Sequence, residues 1–424
     1  MRTDHLDTGR DRPGVADSSA TGGPKPSPRR ASTWRFWATA YTLLILLTGT
    51  NLPTPLYRDY EDRFGLSPLT TTLIFAAYVV VLIPSLLLVG PLSDAIGRRR
   101  VLIPSLAVAA LGTVGFALAS GPGWLFASRA LQGLAIGAAA GPLTAALTEL
   151  EPTGDHRRAA LVSTVVTVGG MGLGPVLGAL LAQYGPAPRV LPFVVELMLL
   201  IPAAVAIALL PDTRPTTRWR PRRPEIPPSV RTVFATSGTA TFLAFAVIGL
   251  FLTLVPAYVA TLAHSANLVL GGGVVALMLA SSAIAQLVAY GRPSHSPERA
   301  GLPLLATGLG LLALAGTLSS PLVLLAAVVV AGAGQGLVYL GGLAAVNASA
   351  TADRRAGVLS SFYVITYIGV GVPIIGVGFL ATILDVTVAV RYFAGVVAVL
   401  CLALLFVLGR ARRRGEEECR SSNP

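Results

Sequence analysis

Long apolar runs recur along the whole chain, and their spacing predicts its architecture. Runs of the size that crosses a bilayer as a helix, about 20 residues, occupy 34–56, 67–90, 101–119, 123–148, 158–184, 190–210, 232–262, 266–290, 302–319, 321–349, 356–384 and 389–409. They predict twelve membrane-spanning helices. The polar stretches divide the chain into a tail over 1–31, a six-helix half over 32–210, a Pro/Arg-rich linker over 211–231, a second six-helix half over 232–409 and a tail over 410–424. The first tail is rich in Pro, Gly, Ser, Asp and Arg, the composition of a disordered segment. No convincing small-residue cleavage site follows the first apolar run, so it reads as a retained helix.

Composition sharpens this picture. The chain is 53% hydrophobic and 12% charged, against roughly 25% charged residues in an average soluble domain. That leaves too little polar surface to coat a water-soluble globule. A soluble multi-domain enzyme and a mainly disordered chain are both excluded. The net charge of +12 would point a soluble chain toward nucleic acid. Here the arginines lie between apolar runs. If the first tail is cytoplasmic, the inner segments carry Arg29, Arg30, Arg98 to Arg100, Arg157, Arg158, the linker arginines, Arg292, Arg299, Arg354, Arg355 and the Arg410–Arg414 cluster. The opposite side carries only Arg58, Arg63, Arg189 and Arg391. This bias places both termini in the cytoplasm of a multi-pass protein in the cell membrane, with lipid rather than nucleic acid as its surroundings. Two cysteines and four histidines, none clustered, give no disulfide framework and no metal or other cofactor site. No G-x-x-x-x-G-K-[ST] string and no catalytic cluster occurs, so neither ATP coupling nor an enzyme is expected.

The halves resemble each other. Arg157-Arg158-Ala159 opens the fifth run and Arg354-Arg355-Ala356 the eleventh. Gln132-Gly133-Leu134 in the fourth is echoed by Gln335-Gly336-Leu337 in the tenth. Two parallel six-helix repeats are one of the architectures of secondary transporters, with the substrate site between the halves near mid-membrane.

Three motifs carry a family resemblance. Gly90-Pro91-Leu92-Ser93-Asp94-Ala95-Ile96-Gly97-Arg98-Arg99-Arg100, between the second and third runs, resembles the G-x-L-[AS]-D-[RK]-x-G-R-[RK] signature of the major facilitator superfamily, with Ala95 in place of the usual basic residue. Gly170-x-x-x-Gly174-Pro175-x-x-Gly178-Ala179 is similar to the antiporter motif of that superfamily's twelve-helix drug:proton exporters. Arg129-x-x-Gln132-Gly133 is similar to its R-x-x-Q-G motif. The resemblance runs from about Trp34 to Gly409. It implies an all-α polytopic membrane protein with twelve transmembrane helices in two pseudo-symmetric halves, the major facilitator fold.

The resemblance also assigns roles. Gly90, Asp94, Gly97, Arg98 and Arg99 form a cytoplasmic gate, in which Asp94 contacts Arg98 and the start of the eleventh helix near Ala356. Gly170, Gly174 and Gly178, four apart, form a smooth helical face for the eighth helix, where Ser281, Ser282 and Ala285 are small, and Pro175 permits a bend. The first, fourth, seventh and tenth helices line the cavity, with Asn51, Arg129, Gln132, Phe242, Phe245, Phe251, Gln335 and Tyr339 as candidates. Arg129 and Glu196 are the charges well inside the runs and the proton-coupling candidates. Arg129 either serves a cavity or snorkels to the outer boundary. Glu196 either exchanges a proton or makes a structural pair with Arg129 or Arg189. The expected function is secondary active export of small apolar or amphipathic molecules, drug-like or metabolite, by proton antiport and alternating access. The expected protein is a monomer of the cell inner membrane, an efflux antiporter conferring multidrug resistance. A sugar or nutrient transporter of the same fold is the alternative.

Overall fold

The computed structural model describes residues 33–211, 219–221, 223–265, 267–292, 295–351 and 354–421. The expectation for the tail at 1–31 lies outside these residues, as does that for much of the linker.

Among the described residues, twelve long helices follow one another: α1 (Thr33–Asn51), α2 (Pro68–Leu88), α3 (Arg98–Ala117), α4 (Pro122–Glu149), α5 (His156–Tyr184), α6 (Leu191–Ala208), α7 (Arg231–Thr253), α8 (Leu268–Ala289), α9 (His295–Leu318), α10 (Pro321–Ser349), α11 (Arg355–Ile383) and α12 (Val386–Ser421). Eleven of them are long and apolar enough to cross a membrane; α1 is the exception. It carries Thr39, Thr42, Thr48 and Thr50, whose hydroxyls donate to the carbonyl one turn back. Its neighbours are α4, α5 and α6, so protein rather than lipid covers much of its surface.

Local sequence explains where the helices begin and break. The Ser67 and Asn267 side chains cap α2 and α8, accepting from Thr70 N and Val269 N. The first apolar run breaks after Asn51, where Pro53 and Pro55 lead into a single turn over Thr54–Leu56 and a short helix over Tyr57–Phe64. The seventh breaks after Thr253, and a short helix over Val255–Leu262 carries Pro256 in its first turn. Between the short helix Leu92–Ile96 and α3, Gly97 turns the chain at φ 102°, a conformation that favours glycine.

The two halves repeat one packing scheme. In the first, α2 packs on α4, α3 on α4 and α6, and α1 on α4, α5 and α6. In the second, α8 packs on α10, α9 on α10 and α12, and α7 on α10, α11 and α12. Adding six to each helix number converts one set into the other. The repeated Gln-Gly pairs sit at equivalent joints: Gly133 lies against the α2 backbone at Tyr78 and Leu82, and Gly336 against the α8 backbone at Ser282. The halves meet along two seams related by the same rule, α5 with α8 and α2 with α11.

Candidate functional site

The first half encloses a polar cluster. Arg129 on α4 is fully buried. Its Nε donates to Tyr57 Oη at 2.5 Å, and its Nη1 to Thr50 O at 2.6 Å and Gln132 Oε1 at 2.9 Å. The rings of Tyr57, Phe75 and Phe116 lie 5.3–5.6 Å from the guanidinium carbon, within cation–π range. Gln132 Nε2 donates in turn to Gly49 O at 3.2 Å. The Glu196 carboxyl of α6 occupies the space beside Gly49 of α1. Glu196 is 3% exposed, and its Oε2 has no hydrogen-bond partner among the described residues. Arg129 does not snorkel; Tyr57 and two α1 carbonyls hold the cluster inside the half. Glu196 forms no ion pair with Arg129 or Arg189; Arg189 pairs with Asp59 at 3.5 Å.

The antiporter-motif glycines turn to a different partner from the expected one. Gly170, Gly174 and Gly178 lie against the α1 backbone and its continuation, at Leu44, Thr48 and Leu52. The face one residue on meets α8, where Gly272 stands against Pro175 O and Ala179 Cβ. The small α8 residues Ser281 and Ser282 meet α10 instead: Ser282 Oγ donates to Gln335 Oε1 at 2.6 Å, and Gly332 stands against Ser281 Cβ. The four-residue spacing does mark a close helix contact, but one inside a half. The seam between halves is built from Gly272, from Gly371 against Val79, and from Gly378 against Thr72. Leu69 N donates to Thr382 Oγ1 at 3.1 Å and Leu268 N to Gln183 Oε1 at 2.9 Å. These contacts lie toward the face that carries Asn51, opposite the Asp94 loop.

At the Asp94 face the expected latch is replaced by other contacts. Among the described residues, Asp94 makes no ion pair or side-chain hydrogen bond. Arg98 reaches Glu149 of α4, its Nε at 3.0 Å from Oε2, and Pro142 O at 2.9 Å. The start of α11 holds the linker: Glu225 N donates to Gly357 O, Ser361 Oγ donates to Glu225 O, and Arg354 pairs with the Glu225 carboxylate at 3.3 Å. Trp219 Nε1 donates to Leu88 O at the end of α2. The linker therefore touches both halves on this face.

The cavity candidates separate. Phe245 and Tyr339 come together, rings 5.1 Å apart, and continue to Phe362 at 6.5 Å. Tyr339 neighbours Tyr363 and Tyr367, and Tyr367 neighbours Tyr78 of α2 across the seam. This aromatic chain runs from α7 through α10 and α11 to the other half. Asn51 is buried against Gly174, and Phe251 is buried in the core of its half. Phe242 faces a groove shared with Pro373, Gly376, Phe393 and the exposed Val396, away from the seam. Helix membership alone cannot separate these phenylalanines, because every face of a membrane helix is apolar. Tyr78, Tyr363 and Tyr367 lie on α2 and α11, outside the four helices expected to line the site.

A family model matches residues 38–300, and its description is Major Facilitator Superfamily. The chain belongs to that superfamily. Among curated members, the puromycin resistance protein pur8 of Streptomyces alboniger is 34% identical over 40% of this chain and 33% of its own. The bacillibactin exporter of Bacillus subtilis (strain 168) is 31% identical over 33% of this chain and 37% of its own. The matches thus span about a third of the length of these relatives. The superfamily fold also covers the chain in solved structures. A mutant of the nucleoside transporter NupG superposes with TM-score 0.71 at 13% identity, over 88% of this chain and 98% of its own. A bacterial homolog of the human lysosomal transporter Spinster, inward-facing and occupied, gives 0.69 at 14%, over 90% and 98%.

Proposed function

We propose that the protein exports small apolar or amphipathic molecules by proton antiport, rocking one six-helix half against the other. The observation that carries this reading is the seam. The halves pack through glycine contacts and a few hydrogen bonds concentrated toward one face, while on the Asp94 face a linker spans them. Two rigid bodies joined mainly at one side can pivot there, as alternating access requires. With the arginine-rich face in the cytoplasm, the side at which the halves are joined faces outward, and both termini are cytoplasmic. The aromatic chain from Phe245 to Tyr78 reaches the seam and offers ring faces and hydroxyls without a fixed charge, which suits apolar or amphipathic cargo. Export rather than uptake is favoured by the antiporter-motif resemblance and by relatives named for puromycin resistance and bacillibactin export.

Glu196 is the proton carrier in this reading. A buried carboxyl with no ion-pair partner is costly to ionise, and the Arg129 cluster meets the same α1 residue, Gly49, through Gln132. Rocking that alters the carboxyl's access to water changes its proton affinity. The test is efflux of amphipathic cations and neutral compounds from proteoliposomes under an imposed pH gradient. Wild-type efflux is expected to follow the gradient, and Glu196→Gln to lose that dependence while Arg129→Lys weakens it. Gradient-independent efflux in the wild type, or wild-type pH dependence in both variants, overturns the assignment.

A further inference from the structure

The second half holds a buried carboxyl that the reading above does not use. Glu298 on α9 is 3% exposed. Its Oε2 accepts from Ser237 Oγ of α7 at 3.0 Å, and its Oε1 has no hydrogen-bond partner among the described residues. It takes part in no ion pair with them. One turn along α7, the hydroxyl oxygen of Thr241 is fully buried and also unpartnered there. Gly342 of α10 stands beside both α7 positions: a side-chain carbon there would fall 2.7 Å from Thr241 Oγ1 and 3.3 Å from Ser237 O. Phe362 of α11 closes the side, its Cζ 3.7 Å from the same point. Among the described residues, the charged side chain that acts on Glu298 is Arg299, its neighbour on α9; Ser237, on α7, is neutral. Gly342 lets the Thr241 hydroxyl pack against α10, one turn along α7 from the Ser237–Glu298 bond, so two buried oxygens without partners, one acidic, lie on this part of the half.

An ionised carboxylate is held poorly here, since one hydroxyl cannot replace its hydration. A protonated one fits: the acid proton sits on Oε1 while Oε2 keeps the Ser237 bond. We infer that Glu298, with Ser237 and Thr241, forms a second proton-binding site, in the half opposite Glu196. The proton leaves when rocking of the halves admits water to Oε1 from the Asp94 face, and Oε1 then carries the negative charge. Glu196 lies near the Asn51 face and Glu298 near the Asp94 face, so the sites load in different phases of rocking. This rests on the proton-antiport reading but not on Glu196 as carrier.

The experiment counts protons. Purified protein in weakly buffered detergent solution is mixed with a transported amphipathic compound, and proton release per binding event is followed with a pH indicator over a pH series. Glu298→Gln keeps the Ser237 bond and mimics the protonated form, so folding is expected to survive. Its proton release should fall below wild type, with one step missing from the pH profile; Glu196→Gln should remove a different step, and the double variant both. A Glu298→Gln profile identical to wild type, with Glu196→Gln altered, overturns this site and leaves antiport standing. No proton release from the wild type at any pH overturns antiport and this site together. If Glu298→Gln does not fold, Ser237→Ala and Thr241→Val replace it. They should shift that step in pH, and wild-type behaviour in both overturns the proposal.

Discussion

The Glu196 carboxyl of α6 lies in the space that a side chain on Gly49 of α1 would fill. The glycine thus lets α6 deliver a carboxyl to the α1 backbone, whose Gly49 carbonyl accepts from Gln132. Three helices converge on one residue without a Cβ.

Gly49→Ala is therefore expected to overpack the cluster and to destabilise the protein by about 1–3 kcal/mol. Glu196→Ala removes the obstruction, so the double variant should regain stability relative to Gly49→Ala alone. Thermal unfolding in detergent checks both. Wild-type stability in Gly49→Ala would mean that the carboxyl moves aside freely.

Two other glycines separate packing within a half from packing between halves. Gly174→Ala places a carbon against Thr48 O within the first half and should lower thermal stability. Gly272→Ala places one against Pro175 O at the seam and should loosen the contact between halves instead. The readout is thiol labelling of Thr72→Cys, a fully buried α2 position beside Gly378 of α11, with Cys401 and Cys419 replaced by alanine. Labelling should accelerate several-fold in Gly272→Ala and much less in Gly174→Ala. Equal rates in the two would remove the distinction.

How much of this was legible beforehand follows from what each signal depends on. Helix number came from run length and the arginine bias, because lipid leaves a spanning segment little choice. The small-residue face of α5 was legible too, but its partner was not: glycine spacing says that something packs closely, and both α1 and α8 are close. Arg129 and Gln132 came from a motif. Tyr57, the partner of Arg129, lies in a short helix after Pro55, just past the end of the first apolar run. Glu298 was missed because the ninth run begins, on hydropathy, at Leu302, whereas α9 starts at His295 and carries the buried Glu298 in its first turn. Glu225 was hidden by the linker's composition, which announces a solvated segment and not a seat on α11.

Glu151 ties down the connection between α4 and α5. Its carboxylate accepts from Thr153 N at 2.7 Å, Asp155 N at 2.8 Å and Arg158 Nη1 at 3.1 Å. Burial works against its charge, but these hydrogen bonds and the arginine outweigh it and hold the carboxyl below the ordinary value of 4.5. A depressed carboxyl stabilises the fold in its ionised form. Its contribution is complete above 4.5 and is lost as pH falls through the lower folded value. Glu151→Gln should therefore melt below wild type near pH 7, about where the ionised form is fully populated, and the gap should close on acidification. A gap that stays constant with pH would show that the carboxylate charge is not what holds the loop.

The last prediction concerns Arg129, whose planar fork reaches Tyr57, Thr50 and Gln132 from one position. A lysine ammonium is a point donor and cannot span these acceptors while keeping three rings around it. Tyr57→Phe retains the ring but removes the acceptor, leaving Nε without a partner; Arg129 Nη2 already lacks one among the described residues. Losing a hydrogen bond to a buried charged group costs about 1.5–3 kcal/mol, so Tyr57→Phe is expected to destabilise by that amount. Arg129→Lys forfeits more than one such bond and should cost more. Gln132→Leu removes one bond to the arginine and one to Gly49 and should fall between them. Chemical or thermal unfolding in detergent gives the ranking. The reverse order, with lysine tolerated and phenylalanine not, would mean that the cluster needs a positive charge and the tyrosine hydroxyl but not the guanidinium geometry.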